Sequence, residues 1–121
     1  MTPPPISEQA FSEQVYDLAS RNKWHTYHAR PGQTGGGKWA TQMQGDVGFP
    51  DWVMVRGDRL IFAELKTDTG KVTDGQIEWL AVLNEVEQVT AQLWRPHDFD
   101  AIADLLARRP GPVTAPVGAP I

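Results

Sequence analysis

The chain has no cysteine. Disulfides, thiolate zinc sites and cysteine nucleophiles are therefore excluded. It has no apolar run of membrane length, and its first residues lack the charged and apolar regions of a secretory signal. A soluble, cytoplasmic protein with no membrane partner is expected. One long stretch, from Leu18 to Gly45, has no Asp or Glu, although the formal charge of the whole chain is -4. The net charge argues against a generic nucleic-acid binder, which tends to be basic. The acid-free stretch argues the other way, because Lys23, Arg30 and Lys38 lie in it with Arg21, His25 and His28. Such a segment suits a phosphate backbone, or is simply a solvated loop. A length of 121 residues fits one domain, able to bury about two thirds of its unfolded surface.

Residues 46–66 concentrate the chemistry. Trp52 to Val55 is apolar and β-prone, Arg56-Gly57-Asp58-Arg59 is a polar connection containing glycine, and Leu60 to Lys66 is a second strand. Together they predict a hairpin. Asp51 stands at its mouth, after Pro50. Glu64 and Lys66 are two apart, so both point to one face of their strand, with Leu60 and Phe62. A charged pair on a partly apolar face is costly unless it is paired or bound to something. Asp51, entering from the neighbouring strand, completes a group of two carboxylates and a lysine. Two hard oxygen donors suit Mg²⁺ or Mn²⁺, with water in the remaining positions.

Other signals order the rest of the chain. Residues 1–6 carry three prolines and predict a disordered or extended leader. Ser7 is a helix N-cap, with Glu8 in the first turn and Phe11, Val15, Leu18 and Ala19 at helical spacing to Arg21. Trp24 to His28 predicts a strand, which puts His25 and His28 on opposite faces. Residues 30–46 form a Gly-rich loop. Within it Gly32 to Lys38 fits the start of a phosphate-binding loop, but Trp39 replaces the required Ser or Thr and no helix follows, so a nucleotide cofactor is rejected. Thr73 and Gln76 fit a capping box, followed by Ile77, Trp79, Leu80, Leu83 and Val86 as an apolar helical face. Val89 to Trp94 predicts a strand. A last helix follows from His97 or Asp98, with Phe99, Ile102, Ala103, Leu105 and Leu106 as its buried stripe. The domain spans 7–109, and Pro110 to Ile121 predicts a disordered tail.

Pro50-Asp51, followed after twelve intervening residues by Glu64-Leu65-Lys66, resembles the PD-(D/E)xK nuclease signature. With Gly48-Phe49, Ala63, Gly70-Lys71-Val72, Gln76 and Trp79-Leu80, the chain is similar to the VRR-NUC branch over residues 7–103. That branch includes small stand-alone, often phage-encoded, Holliday-junction resolvase-like nucleases. The resemblance implies a restriction-endonuclease-like α/β/α core with a mixed sheet and the order α-β-β-β-α-β-α.

It also implies metal-assisted phosphodiester hydrolysis. Asp51, Glu64 and the Leu65 carbonyl would hold one or two Mg²⁺ or Mn²⁺ ions, which lower the pKa of a bound water from about 15.7 toward neutrality. Lys66 would stabilise charge at the phosphate. Glu8 falls where relatives carry an acidic residue near the metal, with Glu13 as the alternative; otherwise Glu8 serves the helix dipole. Gln76 either faces the active site or is only a cap partner. Lys23, Arg30, Lys38 and Lys71 are the candidate nucleic-acid contacts. One site cuts one strand, so a homodimer acting on branched DNA is expected, and five tryptophans in so small a domain suggest an interface. The competing expectation is a non-catalytic nucleic-acid-binding module on a degenerate nuclease fold.

Overall fold

The computed structural model describes residues 4–29 and 44–108. Arg30, Lys38, Trp39, most of the Gly-rich loop, the start of the leader and the tail lie outside the described residues. The elements are α1 (Glu8–Arg21), β1 (His25–His28), β2 (Trp52–Arg56), β3 (Arg59–Leu65), α2 (Asp74–Asn84), β4 (Val89–Trp94), a 3-10 turn (Pro96–Asp98) and α3 (Phe99–Ala107). The strands form one mixed sheet in the order β1-β2-β3-β4. The first two pairings are antiparallel and β3–β4 is parallel. Among the described residues no helix is long and apolar enough to cross a membrane.

Local signals explain most of the boundaries. Ser7 Oγ accepts from the Ala10 N–H at 3.1 Å and starts α1. Thr73 Oγ1 accepts from the Gln76 N–H, while Gln76 Oε1 accepts from the Thr73 N–H, so the capping box forms. The β2–β3 connection is the two residues Gly57 and Asp58, and Gly57 alone of them has a positive φ, +62°. That is the pattern of a type II′ hairpin turn. Ladder pairing sets Trp52 against Ala63 and Met54 against Ile61.

Those four side chains, with Leu65 and Trp94, cover one face of the sheet. There they meet Phe11, Val15 and Ala19 of α1 and Ile102 and Leu106 of α3 in a single core. The helix α2 packs on β4 across the opposite face. The sheet is thus a middle layer, thickly covered on one side and partly covered on the other.

The apolar face of α2 is only partly covered: α2 has no fully buried residue, and Ile77 and Val86 are 55% and 53% exposed. The helix sits over one edge of the sheet, so only Trp79, Leu80 and Leu83 are half-buried. One expectation needs correction, because the described tryptophans are mostly interior. Trp24, Trp52 and Trp94 belong to the core, and Trp79 is half-buried with its Nε1 donating to the Asp46 carbonyl at 3.1 Å. They give little support to an interface.

The hairpin end of the sheet and its β4 edge are tied down. The guanidinium carbons of Arg56 and Arg59 lie 4.8 and 4.9 Å from the Trp24 ring centroid. Arg56 donates to the carbonyls of Asn22, Leu106 and Arg108, and Arg59 to those of Leu105 and Arg108. Trp24 Nε1 adds a bond to the Leu106 carbonyl at 2.8 Å. Two cations and an indole thus satisfy the C-terminal carbonyls of α3, where positive charge is favoured. On the edge strand β4, Asn84 accepts from the Ala91 N–H at 2.9 Å and donates to the Ala91 carbonyl at 2.7 Å. The amide takes the place of a fifth strand at that residue and covers an otherwise open edge.

Candidate active site

The site stands at the end of the sheet where β2 begins and β3 ends. Pairing of Trp52 with Ala63 brings the preceding Asp51 level with Glu64. Strand alternation turns both carboxyls toward the face that carries α2, away from the core. The chain reaches Asp51 through a tightly held approach. Phe49 stacks edge-on against Phe62 of β3 and Trp79 of α2, at centroid distances of 5.6 and 5.0 Å. Gly48, at φ +100°, passes so near the start of α2 that an added Cβ would lie 2.4 Å from the Gly75 carbonyl carbon and 2.6 Å from Gln76 N. Gly75 reciprocates, because its Cβ would meet the Val47 carbonyl oxygen at 2.8 Å. Beyond Asp51, its carbonyl accepts from the Ala29 N–H at 2.9 Å, which extends the β1–β2 ladder.

Glu64 is the exceptional group. It is 2% exposed and lies beside Leu93 of β4. Its Oε2 faces Lys66 Nζ at 3.7 Å, while its Oε1 is buried without a hydrogen-bond partner. Burial pushes its pKa up to about 7, helped by the Asp51 carboxylate and opposed by Lys66. Asp51 is raised as well, first by burial and then by Glu8, against the lowering effects of a hydrogen bond with Glu64 and of Lys66. Burial and the neighbouring carboxylate thus both favour a proton on Glu64. Lys66 is close enough to form an ion pair, but it does not outweigh desolvation and the second carboxylate.

Four of the sequence candidates therefore converge: Asp51, Glu64, Lys66 and Glu8, the last through its charge on both carboxyls. Leu65 buries its side chain in the core between Glu64 and Lys66. Glu13 is elsewhere, lining a cavity with Tyr16 and His28. Gln76 has its carbonyl oxygen committed to the Thr73 cap, so the hydrogen bonds support the structural reading over the active-site one. Lys71 is exposed in the connection between β3 and α2, at the site's end of the sheet. Lys23 is at the other end. It precedes His25, which pairs with Val55, about 13 Å along the strand from Asp51. Arg30 and Lys38 fall outside the described residues.

The role of the Arg95 side chain escaped the sequence reading. Its Nη1 donates to the carbonyls of Thr67 and Gly70 at 2.5 and 2.8 Å, which fixes the turn directly after Lys66. The Lys66 N–H itself donates to the Trp94 carbonyl at 3.0 Å. Nothing local marks such an arginine, because its partners are backbone carbonyls twenty-five and twenty-eight residues away in the chain.

Among the described residues no group of three or more His, Asp or Glu side chains is arranged to hold a metal ion. Two carboxyls do face each other, and Mg²⁺ commonly takes one or two carboxylates and keeps water elsewhere. The orphaned Glu64 Oε1 and the raised pKa of both acids are what a dication would relieve. An oxygen-only donor set fits Mg²⁺ or Mn²⁺ better than zinc, which favours His and Cys. Compared with family models, curated proteins and solved structures, the chain matches none.

Proposed function

We propose that this protein is a Mg²⁺- or Mn²⁺-dependent endonuclease that hydrolyses DNA phosphodiester bonds on a restriction-endonuclease-like core of the VRR-NUC type. The observation that carries the reading is the Asp51–Glu64 pair, with Lys66 Nζ 3.7 Å from Glu64, at the open end of a β-hairpin. Few structural roles call for two acids facing each other in a poorly solvated place, since that arrangement destabilises the fold. Catalytic sites tolerate such strain.

Asp51, Glu64 and the Leu65 carbonyl would hold the ion, with Glu8 adding negative charge. When bound, the ion supplies Lewis acidity toward the scissile phosphate and makes hydroxide accessible near neutral pH. Holding the ion would require Glu64 as a carboxylate, its proton passing to solvent. Lys66, no longer needed to offset that carboxylate alone, stabilises negative charge developing on the phosphate. Arg95 keeps the turn after Lys66 in place, so the ammonium does not need to be ordered during reaction.

The substrate we favour is branched DNA, cut by a homodimer that places two sites on a two-fold axis. Tyr27, Val47, Phe49, Val55 and Ile77, each at least 42% exposed, supply apolar surface for such an assembly. The test is Mg²⁺- and Mn²⁺-dependent nicking of plasmid DNA by the wild type and by Asp51→Ala and Glu64→Ala. A panel of single-stranded, duplex, flap and four-way-junction DNA follows, with light scattering to give the mass. Each variant should stay folded, lose most Mn²⁺ binding in titration calorimetry and lose nearly all cleavage. Undiminished metal affinity in both would remove the site. DNA binding without cleavage under any ion would leave the non-catalytic module.

A further inference from the structure

On the other side of the sheet's end lies a cavity of about 310 Å³ lined by Ser12, Glu13, Tyr16, His28 and Trp52. We infer that it is a subsite for an unstacked nucleobase that carries an amino group, flanking the phosphate held at Asp51 and Glu64. The inference rests on the nuclease reading for its substrate class.

Three observations carry it. The first is the ring content. His28 stacks on Trp52 at a centroid distance of 4.1 Å and an interplanar angle of 10°. Tyr16 lies 6.4 Å from the same indole, tilted by 35°. Trp52 is the floor, 2% exposed, with its Nε1 buried and unpartnered. Tyr16 is the accessible wall, 54% exposed. With the Trp52 face already covered by His28, Tyr16 is the ring on which a base can stack, and a volume of this size is within the range of small-ligand pockets.

The second is the charge. Among the described residues the lining holds the Glu13 carboxylate, the Ser12 hydroxyl, the Tyr16 phenol and the His28 imidazole, with no Lys or Arg. Glu13 disfavours a phosphate. A neutral ring that offers N–H donors is not disfavoured, and carboxylates accept from the N4 amino group of cytosine. A base that presents mainly carbonyl acceptors on the same edge has less to offer Glu13.

The third is placement. Glu8, Ser12 and Tyr16 follow one i, i+4, i+8 row of α1. The cavity therefore lies about 6–12 Å along the helix from the carboxylate that acts on Asp51 and Glu64. On β2, Trp52 directly follows Asp51 and turns to the opposite face. A strand crossing the end of the sheet can set a phosphate on one side and its neighbouring base on the other.

The test uses the full chain carrying Glu64→Gln, which removes cleavage and carboxylate repulsion together. Fluorescence anisotropy compares labelled oligodeoxycytidine with labelled oligothymidine. Oligodeoxycytidine should bind roughly tenfold tighter or more. Adding Tyr16→Ala should weaken both by a similar factor. Adding Glu13→Gln should shrink the cytidine preference without weakening thymidine, because an amide both accepts and donates. Equal affinity for the two oligonucleotides, no binding of either, or indifference to both substitutions overturns the subsite. Cleavage by the otherwise wild-type protein separates the two ideas. Mn²⁺-dependent cutting that ignores Tyr16→Ala and Glu13→Gln leaves the nuclease and sinks the subsite. Cytidine-selective binding with no cutting keeps the subsite and sinks the nuclease.

Discussion

Replacing Glu64 by Gln removes one titrating group from the interior and keeps its shape. In the metal-free protein Glu64 holds its proton up to about pH 7, against 4.5 in an open chain. Between those values the native state binds more protons than the unfolded state. Stability therefore falls as pH rises through this window: the contribution of the protonated acid is complete below about 4.5 and gone above about 7. At about 1.36 kcal/mol per unit of pKa, the loss is about 3 kcal/mol. Glutamine has no proton to lose, so the variant should miss this part of the slope. Urea denaturation in EDTA, run for both proteins from pH 5 to 8, isolates the effect of this site, because titrations away from the Asp51–Glu64–Lys66 group cancel in the difference. By pH 8 the variant should be the more stable protein by about 3 kcal/mol, which is roughly 10 °C or more in Tm for a domain of this size. Saturating Mn²⁺ should flatten the wild-type slope, since the ion takes the ionised acid. Parallel curves would refute the reasoning. So would a wild type that gains on the variant with rising pH, because Glu64 would then be an ordinary ion-pair partner of Lys66.

Lys66→Ala should keep the ion or bind it more tightly, yet cleave slower by orders of magnitude; a rate near wild type would make Lys66 only a charge partner of Glu64. Gly48→Ala should cost about 2 kcal/mol or more in urea denaturation and weaken Mn²⁺ binding, because φ is +100° and the new Cβ would press on Gly75 within 2.4 Å. A neutral Gly48→Ala would mean that the approach to Asp51 is looser than its contacts imply. Asn84→Ala should lose about 1–3 kcal/mol through the two Ala91 bonds; a change under about 0.5 kcal/mol would show that water replaces the amide without penalty.

The sequence was most informative where its signals were local. Ser7 and the Thr73–Gln76 box announce their helices through side chains three residues from their partners. Gly57 announces its turn. The spacing of Asp51 from Glu64 and Lys66 suffices to bring them together once a two-residue turn joins the strands. What was not legible depends on partners distant in the chain. Arg56 and Arg59 look like solvated hairpin charges, but they cap α3 from nearly fifty residues away. The periodicity of Ile77 to Val86 marks an apolar face without saying that α2 would overhang the edge of the sheet. Gln76 carries two signals at once, and only the geometry shows its carbonyl held by the cap. The proton on Glu64 depends on burial in the assembled sheet, which no motif spells out.

The two-residue turn at Gly57 and Asp58 also has a kinetic consequence. It makes the hairpin the cheapest long piece of the sheet to form, since closing a short loop costs little entropy and hairpins form in roughly 1–10 μs. The parallel partner β4 arrives only after the chain has passed through α2. Asp51 and Glu64 thus meet in the part of the molecule placed to assemble first. If the hairpin is structured in the transition state, their mutual repulsion must be overcome on the way up the barrier. The pH dependence of stability would then appear in the folding rate and leave the unfolding rate nearly still. Loading with a divalent ion would likewise speed folding more than it slows unfolding, so the charge gathered at the mouth of the hairpin would also set the tempo at which the domain is made.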